Sequence, residues 1–166
     1  DWAQLARTVL DDHRAAALAK PVTLHYEGPE HCPGQCDPEL VRQLLGNLVS
    51  NAVRYNRSDG HVHVRLVAHD QRLQLSVQDT GHGIPPEHHA RVFERFYRVD
   101  PHRNRAIGGT GLGLAIVKHL AEVLGGDVRL ESSSEGTLFT VDLPIELKDE
   151  ASAIRQRTLG LQVASK

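Results

Sequence analysis

Between His61 and Gln78 apolar residues occupy every second position, with Val62, Val64 and Leu66 before the His69-Asp70-Gln71 break and Leu73, Leu75 and Val77 after it. Side chains of a strand alternate between two faces, so this pattern specifies an antiparallel hairpin with one apolar and one polar face. A lone hairpin cannot bury its apolar face, and the rest of the chain must supply a covering layer. The flanks supply it with a different period. Trp2, Leu5, Ala6, Val9, Leu10, Ala16 and Ala17 repeat at three and four residues and predict an opening helix that ends before Pro21. Asp37-Pro38 pairs a good N-cap with a proline tolerated in the first turn, and Val41, Leu44, Leu45, Leu48 and Ala52 make the core stripe of a second helix. A third runs from about Thr110 to Leu124, with Leu112, Ala115, Ile116, His119, Leu120 and Val123 inward and Gly125-Gly126 as its stop.

Val22 to Tyr26, Asp127 to Glu131 and Thr137 to Leu143 add strands, the last two joined by a Ser132–Gly136 turn. Hairpins mixed with helices, without strict alternation, specify an α+β class: one mixed, mostly antiparallel sheet covered on one face by helices. The stretch from Gly81 to Gly111 is loop-rich, with one short helix expected near Pro86 to Phe93, and a loop of that length reads as a mobile lid. A length of 166 residues suits one domain, expected over residues 1–144, with 145–166 a tail of no assigned role that holds a short helix near Glu146 to Arg157. Because the chain starts at Asp1 without Met, we expect it to be an excised piece of a longer polypeptide.

Several function classes drop out. The 19 basic and 21 acidic residues are interspersed, which argues against a nucleic-acid footprint of clustered Lys and Arg. No apolar run approaches the roughly 20 residues needed to cross a bilayer, so no direct membrane contact is expected. Cys32 and Cys36 flank a Pro33-Gly34 turn without further ligands at ordinary spacing and read as two reduced thiols. His61 with His63, and His88 with His89, lack a third ligand in view and read as solvated surface.

Four short blocks carry the chemistry. Asn47 and Asn51, four apart on the second helix, project from one face at the lip of the core, where amide oxygens can ligate Mg²⁺. Alone, such a pair is more often a solvated face. Asp79 ends a strand before Thr80-Gly81-His82-Gly83-Ile84, where a carboxylate can accept from the exocyclic amino group of adenine and repel the carbonyl of guanine. Gly81 and Gly83 permit close backbone approach there. The run Gly108-Gly109-Thr110-Gly111-Leu112-Gly113-Leu114 opens the third helix and aims backbone N–H groups at an anion. It is neither a P-loop nor a dinucleotide fingerprint, lacking the Lys of the one and the third glycine of the other. Phe93 and Phe96 flank Tyr97-Arg98-Val99-Asp100-Pro101-His102-Arg103-Asn104-Arg105, aromatic anchors beside a basic flap, although plain core packing of both rings fits equally.

In this order the blocks resemble the N box, first glycine box, F box and second glycine box of the ATP-binding catalytic domain of bacterial sensor histidine kinases, in the superfamily of DNA gyrase, the ninety-kilodalton chaperones and mismatch-repair ATPases. The resemblance covers about residues 1–144 and implies a Bergerat-type two-layer α/β sandwich of a mixed sheet and three helices. It implies ATP and Mg²⁺ as ligands, with Asn51 on the metal and Asn47 supporting it. Arg54 and Tyr55 would approach phosphate and ribose, Asp79 would read adenine, and Gly81, Gly83 and Ile84 would line the base pocket. Arg98 would reach the phosphates from the flap, Gly111, Leu112, Gly113 and Leu114 would wrap them, Tyr97 and Thr110 would take part in binding ATP, and Thr137 would join the adenine side.

Hydrolases of the superfamily carry a Glu where Asn47 stands, and an amide cannot accept a proton from water at neutral pH, so transfer is favoured over hydrolysis. Asn47 and Arg98 are then the residues expected to act in catalysis, by positioning and charge stabilisation. None of the 11 histidines sits in the acceptor context of that family. The implied partners are a dimerisation and phosphoacceptor domain outside this chain and a response-regulator receiver domain, and the implied place is the cytoplasm, under a parent that can be membrane-anchored. An ATP hydrolase and a non-catalytic nucleotide-gated interaction module stay open as alternatives.

Overall fold

The computed structural model describes residues 1–69, 71–99 and 109–145. Strands β1 (Val22–Glu27), β2 (Gly60–His69), β3 (Arg72–Asp79), β4 (Asp127–Ser133) and β5 (Gly136–Pro144) form one sheet in the order β1-β2-β3-β5-β4. β1 runs parallel to β2 and every other neighbouring pair is antiparallel, which is the mixed sheet expected. The hairpin alternation sets its register: Val64 faces Val77 and Leu66 faces Leu75, and Val62, Val64, Leu66, Leu73, Leu75 and Val77 are all buried. Helices α1 (Trp2–Asp12), α2 (Arg14–Leu18), α3 (Pro38–Arg54) and α4 (Gly113–Val123) pack over that face, completing a two-layer α/β sandwich.

α3 is the spine of the helical layer. Asp37 caps it by accepting from the N–H groups of Glu39 and Leu40 at 3.0 and 3.2 Å, and Pro38 opens its first turn. Val41, Leu44, Leu45, Leu48 and Ala52 are buried as the spacing predicts. Truncating Leu48, which is 0% exposed, to Ala is the kind of core deletion that costs about 2–5 kcal/mol. No described helix is long and apolar enough to cross a membrane.

The structure corrects four local expectations. The opening helix is two: the His13 ring donates to the Val9 carbonyl at 2.8 Å, taking the acceptor that its own N–H would use, and that N–H turns to Leu10 at 3.1 Å. The helix near Pro86 to Phe93 reduces to a 3₁₀ turn over Pro86–His88, held by short-range bonds such as His89 N–H to the Pro86 carbonyl. The third helix starts at Gly113, and it buries Val117, Leu120 and Ala121 while His119 and Val123 face solvent, because its inner face meets both α3 and the sheet. The closing strands are longer, Ser132 pairing with Thr137 and Ser133 with Gly136, which leaves a turn of Ser134 and Glu135. Cys32 and Cys36 are free, and burial pushes both thiols up, which keeps them protonated and inert. Asp70, residues 100–108 of the expected lid, and the expected helix and tail over 146–166 lie outside the described residues.

Candidate functional site

The last turns of α3, the ends of β3 and β5 that meet at Asp79 and Thr137, and the start of α4 enclose a cleft of about 760 Å³. Asp79 sits at its closed end, 7% exposed. Its carboxylate accepts the Gly81 N–H at 2.8 Å. Burial raises its pKa to about 6, opposed by the backbone hydrogen bonds from Gly81 and Thr137. Beside it the Ser132 hydroxyl accepts the Ile84 N–H at 2.8 Å and lies 3.0 Å from the Thr137 hydroxyl, so Ile84 and Thr137 are held as one wall.

The amide pair faces the opposite end. Asn47 donates through Nδ2 to the Gln43 carbonyl at 2.8 Å. Its oxygen is turned toward Gly113, where an added Cβ would stand 3.3 Å from Asn47 Oδ1 and 3.6 Å from Asn51 Nδ2. The second-helix face and the glycine run therefore meet across the cleft, which also takes in Arg54, Tyr55, Thr110, Gly111 and Leu114. The first N–H groups of α4 have no intrahelical partner, and Leu112, its N-cap, supplies no side-chain cap.

The segment before the flap is clamped to this run. Phe96 donates its N–H to the Gly111 carbonyl at 2.8 Å. Both residues have left-handed backbones, φ 65° and 71°, and a Cβ at Gly111 would lie 2.8 Å from the Phe96 carbonyl carbon, so only glycine fits there. The two expected aromatic anchors part company. Phe93 packs edge-on to Phe139 at 6.2 Å, whereas the Phe96 ring is 70% exposed because its φ turns the ring outward. Tyr97 is pinned by His88 at 2.6 Å from its hydroxyl and by the Arg91 guanidinium 4.3 Å above its ring. Arg98 lines the cleft with Nε and Nη2 buried and unpartnered among the described residues, a cation placed to receive an anion.

Two expected residues do not line the cleft: Gly81 serves Asp79 from behind, and Leu112 begins the helix by accepting the Ile116 N–H at 2.9 Å. Conversely, Lys20, Asn56, Arg57 and Phe139 line it without having been singled out. Asn56 is the structural hub among them, 1% exposed. It donates to the His61 carbonyl at 2.9 Å and accepts from the Arg57 N–H at 2.9 Å and the Thr80 hydroxyl at 3.2 Å, tying the exit of α3 to the end of β3. Nothing in its neighbourhood, an Asn before Arg57-Ser58-Asp59-Gly60, distinguishes it from an ordinary turn residue.

The histidine pairs also differ from expectation. His88 and His89 are half-buried and bonded, the latter's ring donating to the Ile84 carbonyl at 2.8 Å. His61 and His63 do gain a third imidazole, His25 from β1, and one ring nitrogen from each of the three lies within 4.8 Å of the others. Burial first, then the neighbouring His63 and His61, lower the pKa of His25, with Glu27 opposing them.

The profile of the "Histidine kinase-, DNA gyrase B-, and HSP90-like ATPase" family matches residues 36–147. The chain is 41% identical over 136 residues to the sensor histidine kinase CusS of Escherichia coli K12, covering 82% of this chain and 28% of CusS. Among solved structures it resembles full-length ShkA in complex with AMPPNP, with a TM-score of 0.78 and 31% identity over 89% of this chain and 30% of that one. It also resembles the mycobacterial sensor histidine kinase MprB, with a TM-score of 0.74 and 28% identity over 89% of this chain and 97% of that one. The chain thus spans less than a third of CusS and of full-length ShkA.

Proposed function

This chain belongs to the histidine kinase-, DNA gyrase B- and HSP90-like ATPase family, and on that premise we propose that it binds magnesium–ATP in the cleft and presents the γ-phosphoryl group to a histidine outside itself. One observation carries the proposal: a buried carboxylate, an amide pair and the open start of a helix converge on a single cavity, at separate ends of it. At the closed end Asp79, ionised above about pH 6, accepts from the adenine amino group, with Ile84 and Thr137 as walls. At the open end the N–H groups of α4 and the Arg98 guanidinium receive the phosphates, and Arg54 and Tyr55 stand between the two ends.

The donors suit Mg²⁺, a hard cation that takes oxygen ligands and shares its shell with phosphates and water. Asn51 is its ligand, with Asn47 supporting it. When bound, the ion neutralises charge on the phosphate oxygens.

Transfer is favoured over hydrolysis by the same inventory. Asp79 is the one carboxylate among the described residues that line the cleft, and it belongs to the base end, so among the described residues Asn47 has no carboxylate beside it to take a proton from water. An imidazole needs no such base. The acceptor is a histidine on a dimerisation and phosphoacceptor domain, a response-regulator receiver domain is the next acceptor, and the setting is the cytoplasm. Incubating this chain with its acceptor helices and γ-labelled ATP tests the reading: label on imidazole supports it, whereas free labelled phosphate, or nucleotide bound without turnover, overturns it in favour of a hydrolase or a binding module.

A further inference from the structure

We propose that His25, His61 and His63 form a second, separate site, for a divalent transition ion of the zinc class, on the sheet face turned away from the helices. The parallel pairing of β1 with β2 places Thr23 beside His61 and His25 beside His63, and strand alternation puts the three imidazoles on one face while Val62 and Val64 point into the core. His25 Nε2 and His61 Nδ1 are 3.2 Å apart. Two imidazole nitrogens held by one tetrahedral ion at zinc–nitrogen distances lie about 3.3 Å apart, so this pair already has the spacing of shared ligands. The third ring is stacked on the first, centroids 4.5 Å and planes 14° apart.

Glu27 adds an independent observation. Its carboxylate lies 3.0 Å from His63 Nδ1. That bond fixes the proton on Nδ1, leaves the Nε2 lone pair open and orients the ring, which is the supporting arrangement found behind metal-bound histidines. Binding is balanced by release of the proton that His25 and His61 share, and three protein ligands leave a fourth position for water or an outside donor. Imidazole donors select zinc, copper or nickel over magnesium, so the ion proposed for the nucleotide cleft does not compete. An ion here would also rivet β1, an edge strand whose one neighbour in the sheet is β2.

The test uses the nucleotide-free chain in millimolar MgCl₂, titrated with Zn²⁺ against a chromophoric chelator. We expect a single ion bound at about micromolar affinity or tighter, weakened at least about tenfold in His25→Gln, in His61→Gln and in Glu27→Gln. His119→Gln, an exposed histidine on α4, should leave it unchanged. Co²⁺ gives a readout that needs no variant: strong visible bands of a four-coordinate ion are expected. Pale six-coordinate bands, or Zn²⁺ affinity that His25→Gln and His61→Gln leave intact, would overturn the proposal. Because this site shares no ligand with the nucleotide cleft, its failure would leave the ATP reading standing.

Discussion

Replacing Asp79 by Asn should strengthen the fold and weaken nucleotide binding, two effects of opposite sign from one carboxylate. Its pKa rises from 3.8 to about 6 on folding, chiefly by burial, so the folded chain holds the proton more tightly than the unfolded one. The stability this lends is fully present below about pH 3.8 and is lost as pH rises through about 6. At about 1.4 kcal/mol per pH unit, the ionised carboxylate costs about 3 kcal/mol of stability at neutral pH. The amide of the Asp79→Asn variant carries no charge and keeps an oxygen for the Gly81 N–H. Urea unfolding of the nucleotide-free proteins should therefore show the variant more stable by up to about 3 kcal/mol at about pH 7, with the difference shrinking toward zero near about pH 4. Calorimetry with magnesium–ATP should show the reverse, a loss of about 10–150-fold for one charge-assisted hydrogen bond. The wild type should itself lose about tenfold in affinity between about pH 7 and about pH 5, and the variant should not. A variant that is less stable by the same amount at both pH values, or that binds ATP as the wild type does, would refute the assignment.

Other substitutions test neighbouring parts of the same argument. Gly83 has φ 69°, and a Cβ there would stand 1.7 Å from the Ser133 carbonyl oxygen; Gly83→Ala should cost at least about 2 kcal/mol in urea unfolding, and a loss under about 0.5 would contradict the packing. Asn56→Ala removes the bonds to the His61 carbonyl, the Arg57 N–H and the Thr80 hydroxyl and should destabilise by about 1–3 kcal/mol by thermal or urea unfolding. Arg98→Ala should weaken ATP about 10–150-fold by calorimetry while leaving adenosine unaffected, and an equal loss for both ligands would place Arg98 away from the phosphates.

What could be read in the sequence was whatever repeats or punctuates. The hairpin register followed from Val62 to Val77 because alternation leaves one way to bury the apolar set, and α3 followed from Asp37-Pro38 and a clean stripe. The break at His13 was hidden because it depends on a side chain capturing one carbonyl, which apolar spacing does not register. The face of α4 was misjudged because the helix touches two layers, and His119 and Val123 satisfied a one-sided pattern equally well. Most cleft residues were visible as boxes of unusual composition. Asn56 and Ser132 were not, since their roles come from hydrogen bonds to Thr80 and Ile84, in segments far apart in the chain. His25 escaped for the same reason: it reaches His61 and His63 only through the β1–β2 pairing.

The central claim is that one cleft takes both ends of a magnesium nucleotide, and amide chemical shifts of the ¹⁵N-labelled chain titrated with Mg²⁺ and AMPPNP test it most directly. The account expects Gly81 and Ile84 at the base end, and Gly111 and Gly113 at the phosphate end, to shift together along one saturation curve. Millimolar nucleotide that leaves these amides unmoved, or that moves one end alone, would contradict it.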